Sequence, residues 1–253
     1  MSILSEFDES KTAIINPEDF VKKKEHFPEV AIATFTERIV EKAFKGKEKE
    51  IITYIYANTQ PVYRLNYKGT EMAIFTSKTG APASVVGEEA VIALGARKMV
   101  YFGSCGVLDN RIDASEIIIP THAIRDEGTS YHYLAESDEI ELNPWNIKVL
   151  IQVLEELGVP YFKGKTWTTD AIFRETRKKF EKRKEQGSIV VEMECSALAA
   201  VARFREVSFA QFLYSADNLD TAKWDPRVLG NEDTKEDVYL RIALEYALAV
   251  KDQ

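Results

Sequence analysis

The segment Ser188 to Ala200, SIVVEMECSALAA, sets Glu192 and Glu194 between a β-branched run and a run of small apolar residues. Both flanks read as core, where an acid is costly unless something uses it. Taken as a strand SIVV followed by a helix CSALAAVARF, the two acids fall at a strand end. Residues i and i+2 of an extended chain point the same way, so both carboxylates would face one pocket, with Met193 packing away or lying under a ligand. An ionised carboxylate only accepts hydrogen bonds, so a vicinal diol such as that of ribose suits an adjacent pair. The alternative is structural: one acid caps the following helix and the other faces solvent. Spacing alone leaves both open.

Two further strand ends carry unusual chemistry, YFGSCG (Tyr101 to Gly106) and LYSADNLD (Leu213 to Asp220). Ligands of open α/β sheets bind beyond the carboxyl ends of strands, so these three ends define the region of interest. Asp217 could donate a proton near neutrality only if an apolar pocket raised its pKa; otherwise Asp217 and Asn218 simply turn the chain.

The elements that must hold these residues alternate. Strand-type runs occur at VAIATF, EIITYIYA, PVYRLNY, EMAIFTS, KMVYFGS, EIIIPTHAI, YFKGKTWTT, SIVVEM and FAQFLYS. Helical periodicity occurs at TERIVEKAF, SVVGEEAVIALG, PWNIKVLIQVLEELG, CSALAAVARF and DVYLRIALEYALAV. Asn143, Pro144 and Gly158 punctuate the third of these as N-cap, first turn and stop. No repeat or linker divides the chain, which predicts one α/β domain over residues 1–253. Its sheet is expected to be mixed, mostly parallel and twisted, with helices on both sides. The strand-rich stretch 50–125 lets that sheet curl into a partial barrel.

The formal charge of −8 disfavours nucleic acid and anionic membranes as partners. The basic run Arg174 to Gly187 is interleaved with glutamate and reads as a solvated helix face. No apolar run approaches the ~18–20 residues of a membrane span, and the N-terminus lacks a secretory pattern. With Cys105 and Cys195 as the only cysteines, a reducing cytoplasm is expected and a disulfide framework is not. Neither these cysteines nor His26, His122 and His132 show metal-ligand spacing, so no metal is expected.

VVEMECSAL resembles the ribose-binding signature of the nucleoside phosphorylase superfamily, of the uridine phosphorylase and hexameric purine nucleoside phosphorylase type. GSCGVL (Gly103 to Leu108) is similar to its phosphate loop, and RDEGTSYHY and TTDAIFRET resemble segments of its uridine phosphorylase branch. The likeness runs from about Val30 to the C-terminal helix.

It implies phosphate-dependent cleavage of a ribonucleoside to free base and ribose 1-phosphate, with no cofactor beyond phosphate as co-substrate. By position it implies Arg38, Arg64, Ser104 and Thr34 at the phosphate, with Arg64 donated across a subunit interface of a homo-oligomer (dimer or hexamer). It implies Glu192, Met193, Glu194 and His132 at the ribose, and Ile172, Phe173 and Asp217 at the base, with Asp217 and Glu194 as the catalytic acids.

Departures stand beside the likeness. Tyr101 replaces an arginine, Thr34 replaces a glycine, and Ile172 replaces an aromatic residue. A tyrosine cannot supply a guanidinium's permanently charged, bidentate contact, so a hydrolytic nucleosidase is an alternative, as is a non-catalytic nucleoside-binding or storage protein. Asp217 points to a purine and the two branch segments to uridine, which leaves the base open.

Overall fold

A computed structural model describes residues 3–229 and 235–252. The strands are β1 (Val30–Thr34), β2 (Glu50–Ile55), β3 (Gln60–Tyr67), β4 (Thr70–Thr76), β5 (Lys98–Val107), β6 (Ile117–Asp126), β7 (Glu139–Glu141), β8 (Tyr161–Thr169), β9 (Ser188–Glu192) and β10 (Ser208–Asn218). The helices are α1 (Pro17–Phe20), α2 (Glu37–Ala43), α3 (Ala81–Leu94), α4 (Pro144–Leu157), α5 (Arg177–Glu185), α6 (Cys195–Arg205) and α7 (Glu236–Val250). One sheet unites the strands in the order β10-β6-β8-β9-β5-β1-β4-β3-β2, with β7 on the edge of β6. Because β10 also pairs with β5, the circuit β5-β10-β6-β8-β9 closes on itself, and β1, β4, β3 and β2 extend it as an open wing. The expected partial barrel is therefore present, built from later strands than the 50–125 stretch alone.

Alternation within each strand sorts the core into layers. Ile32, Ile74, Val100 and Phe102 face one side, where α2, α4 and α7 cover them. Ala31, Phe75, Met99 and Tyr101 face the other, against α3 and α6. Helix α4 is bounded as its sequence suggests: the Asn143 side chain accepts from the amides of Trp145 (2.9 Å) and Asn146, and Gly158 ends it with φ 65°. Helix α3 begins earlier than its periodicity implies, because Pro82 is tolerated in a first turn. The three-residue β7 carries too little pattern to be read.

The parallel pair β5–β10 positions the strand ends that matter. Phe102 stacks on its register partner Phe212 with ring centroids 5.0 Å apart. Such a pair adds ~0.5–1.5 kcal/mol beyond its buried area and helps lock the register. That register sets Ser104 beside Tyr214 and Asp217 beside Gly106, with a bulge between Ser215 and Asp217.

Candidate active site

Strand β9 ends at Glu192, and the chain bends at Met193 before α6 begins. The bend removes the extended geometry on which a shared orientation of the two acids depended. Glu192 turns inward. Its Oε1 accepts from the hydroxyls of Thr168 (2.6 Å) and Thr166 (3.2 Å), and its Oε2 accepts from the amides of Glu194 and Cys195, both at 2.7 Å. A carboxylate with four protein donors at a helix start is a cap, favoured there by the helix dipole. The expected sugar-binding role of Glu192 is thus corrected, although the second half of the structural alternative fails too: Glu194 does not face solvent.

Glu194 is 6% exposed and its Oε1 accepts the Gly80 amide at 2.6 Å. Gly80 has φ 95°, a conformation that suits glycine, at the entry to α3. Burial, then the charge of Glu192, pushes the Glu194 carboxyl up to about 8, against the amides of Gly80 and Met193. A buried acid that readily ionises when donors arrive is what a pair of sugar hydroxyls could exploit. Met193, half-buried between them, is the member of the triplet with surface to offer.

The strongest convergence lies at Asp217. Ile172, Phe173 and Asp217, expected at the base, line one cavity of ≈ 330 Å³ together with Glu175 and Trp224. Asp217 is 8% exposed, and its Oδ2 accepts the Trp224 indole N–H at 2.6 Å. Burial raises its carboxyl above the usual range and the indole opposes the rise. Phe173 is 95% exposed and Ile172 46%, so this wall is open to a ligand. Glu175 is a residue that motif reading missed. Its carboxyl is pushed up to about 7 by burial and then by the charge of Asp217. The signal for it was only proximity to Phe173, which does not reveal that the turn Ile172–Arg174 folds it over β10.

On the phosphate side the picture is mixed. Ser104 is exposed on β5. Gly103 and Gly106 serve packing, since a Cβ would sit 2.6 Å from Phe35 Cδ2 at the first and 2.6 Å from Leu219 Cδ1 at the second. Thr34 is fully buried, and its hydroxyl has no hydrogen-bond partner among the described residues. Arg38 Nε donates to Glu236 Oε1 at 2.7 Å, and its Nη2 bonds the same oxygen.

Arg64 lies away from Ser104 within its own chain. Its guanidinium is shared by Glu50 (2.9 Å) and Glu71 (2.7 Å). Register places Arg64 beside Ala73, Ala73 beside Ala31 and Ala31 beside Met99, level with a point five residues before Ser104. That is roughly 16 Å along the strands at about 3.3 Å per residue. Within one chain Arg64 therefore pairs with acids, and the expected contact is one that only a neighbouring subunit's phosphate could receive. His132 is exposed and lines a separate cavity of its own chain, ≈ 760 Å³, beside Phe20, Tyr56 and Tyr133.

Where the resemblance places an arginine, Tyr101 is fully buried among Phe35, Phe75 and Phe209, and its hydroxyl has no hydrogen-bond partner among the described residues. Burial, then Glu88, Tyr56 and Glu194, push its phenol well up. Glu88 is itself fully buried with neither oxygen hydrogen-bonded among the described residues, and burial raises it well above the usual carboxylate range. The groups that bear on the Tyr101 phenol are thus two acids and a second phenol.

Residues 28–241 match the family model of the phosphorylase superfamily. The chain belongs to that superfamily.

Among relatives of this phosphorylase-superfamily chain, a uridine phosphorylase of Thermococcus kodakarensis is 31% identical over 107 residues, covering 42% of this chain and 39% of that protein. A DeoD-type purine nucleoside phosphorylase of Colwellia psychrerythraea is 28% identical over 142 residues, covering 55% and 61%. The aligned regions thus span about two-fifths to three-fifths of these relatives. The fold is shared more widely. A purine nucleoside phosphorylase of Toxoplasma gondii in complex with immucillin-H superposes with TM-score 0.78 at 19% identity, covering 89% of this chain and 92% of that one. An AMP nucleosidase of Bacteroides thetaiotaomicron gives TM-score 0.74 at 15% identity, with 89% and 90% covered. Among the described residues no helix is long and apolar enough to cross a membrane, and no cluster of three His, Cys, Asp or Glu could hold a metal ion.

Proposed function

We propose that this protein cleaves the N-glycosidic bond of a ribonucleoside and transfers the ribosyl group to inorganic phosphate, releasing free base and ribose 1-phosphate. The observation that carries this reading is the aromatic-walled cavity over Asp217, whose strand runs beside the one bearing Ser104. The base lies between Phe173 and Trp224 and loses its negative charge to a proton from the acids beneath it. Glu194 accepts from the ribose hydroxyls, and ionises as they bind because their donors offset its burial. Positive charge then grows on the sugar as the C1′–N bond opens, and the phosphate oxygen that attacks C1′ also neutralises it. Ser104 and Arg38 receive the phosphate, Arg38 exchanging its Glu236 partner for the incoming anion. No metal or organic cofactor takes part. A homo-oligomer belongs to the proposal by family likeness, and sedimentation velocity reads it.

A second reading, hydrolysis by water, is favoured by one observation: Tyr101, at the position where the resemblance implies an arginine, is fully buried with Glu88 bearing on its phenol. Base release with and without phosphate separates the two. A rate undiminished in phosphate-free buffer supports water as nucleophile. Retention of turnover in a Glu194→Ala variant rejects the assignment of the ribose site under either reading.

A further inference from the structure

Helices α2 and α7 meet at a clasp in which Arg38 and Lys42 face Glu236 and Asp237. The two cations stand at i and i+4 of α2, so one helix face presents both. The two acids open α7. Arg38 donates through Nε (2.7 Å) and through Nη2 to the same oxygen, Glu236 Oε1. Lys42 Nζ lies 3.7 Å from Glu236 Oε2 and 3.7 Å from Asp237 Oδ1. The Glu236 side chain is 2% exposed, whereas that of Arg38 is 44% exposed. The acid is thus fixed in the interior, and the guanidinium keeps a face toward solvent.

The clasp stands at the edge of the sheet that carries Ser104. Thr34, the last residue of β1, pairs with Phe102, and Ser104 follows two residues later on β5. Arg38 lies in the first turn of α2, just beyond the Thr36 cap, so it leaves the sheet at that same edge. The Nε and Nη2 hydrogens form one of the edges by which a guanidinium takes two oxygens of a phosphate. Here that edge is committed to Glu236.

We infer that Glu236 and Lys42 are positioning residues that set how tightly the site holds phosphate: Glu236 competes with the anion for Arg38, and Lys42 balances Glu236 once Arg38 has turned away. This rests on the proposed phosphorolysis and names the control of its anion subsite. Glu236 left without a cation would be an uncompensated buried charge, which is costly. Lys42, a point charge with three donors on a flexible stem, can close on it and lower that cost. Phosphate binds the fraction of molecules in which Arg38 has left Glu236, so its apparent dissociation constant is the intrinsic one divided by that fraction. The two residues therefore act with opposite sign. Neutralising Glu236 raises the fraction and tightens phosphate. Removing the Lys42 charge makes Glu236 depend more on Arg38 and weakens phosphate.

The test is a phosphate series of initial rates for the parent, Glu236→Gln and Lys42→Met, with adenosine, inosine and uridine each as nucleoside and a thermal melt of every protein. Glu236→Gln keeps the shape of the side chain and should lower the phosphate KM ~10-fold, the scale of one charged hydrogen bond removed from competition. Lys42→Met should raise it ~3-fold, the scale of a partly exposed ion pair. In both, the change is expected in KM rather than in kcat at saturating phosphate. A merely structural clasp would weaken phosphate in both variants, so the opposite signs are the signature, and Lys42→Met carries the test alone if Glu236→Gln melts below the assay temperature. A phosphate KM unchanged or raised by Glu236→Gln, or lowered by Lys42→Met, overturns the inference while phosphorolysis stands. A parent whose rate ignores phosphate, or that cleaves none of the three nucleosides, overturns the proposed function and the clasp's role with it.

Discussion

Glu194 is buried, is raised by that burial, and is assigned to the sugar, so one substitution should move stability and activity in opposite directions. A rise from 4.5 to about 8 means that the folded chain binds this proton more tightly than the unfolded chain does. The stabilisation is therefore complete below pH 4.5 and disappears as pH rises through about 8. At ~1.4 kcal/mol per pH unit, the ionised group costs the fold an upper limit of roughly 5 kcal/mol. Local relaxation and water reduce that to ~2–3 kcal/mol. Glu194→Gln keeps an oxygen to accept the Gly80 amide and removes the ionisation. At pH 9 the variant should melt about 5–10 °C above the parent, and the gap should close as pH falls to 5. Meanwhile kcat/KM should drop ~10–100-fold, since hydrogen bonds to a charged acceptor are worth ~1.5–3 kcal/mol. Thermal melts across pH and initial rates read the two effects separately. A melting gap that does not grow with pH would refute the burial argument, and unaltered kcat/KM would refute the sugar assignment.

Three other substitutions test neighbouring parts. Glu192→Ala strands the amides of Glu194 and Cys195 and two threonine hydroxyls, so chemical denaturation should show a loss of ~3–5 kcal/mol, well beyond a surface change. Tyr101→Phe deletes a buried hydroxyl with no hydrogen-bond partner among the described residues and should stabilise by ~1 kcal/mol in the same assay; a loss of that size would mean the hydroxyl has a partner in solution. Arg64→Ala should leave the phosphate KM unchanged, because its guanidinium is bound to Glu50 and Glu71; a rise of ~10-fold or more would restore it to the site through a neighbouring subunit.

Much of the scaffold was legible because its signals are local. Asn143 and Gly158 bound α4 through their own backbone preferences, and the apolar strands announce a covered sheet. The cavity residues Ile172, Phe173 and Asp217 were also legible, through resemblance, and they converge. What escaped depends on contacts between distant segments. The fate of Glu192 turns on a two-residue bend and on Thr166 and Thr168 of another strand, neither visible in local periodicity. Local sequence also does not show that register sets Arg64 away from Ser104 of its own chain, beside acids of two neighbouring strands. Glu175 looked like part of a solvated charged run until the fold set it against Asp217. Barrel closure through β5 and β10 likewise joins strands a hundred residues apart, which no window can reveal.

The most direct measurement is phosphorus NMR of the purified protein incubated with adenosine and inorganic phosphate. Phosphorolysis predicts that the inorganic phosphate signal declines as a sugar phosphate resonance grows, in step with free adenine. Adenine released with the phosphate signal unchanged would show that water takes the ribosyl group. Intact adenosine, together with intact inosine and uridine in parallel tubes, would contradict the account.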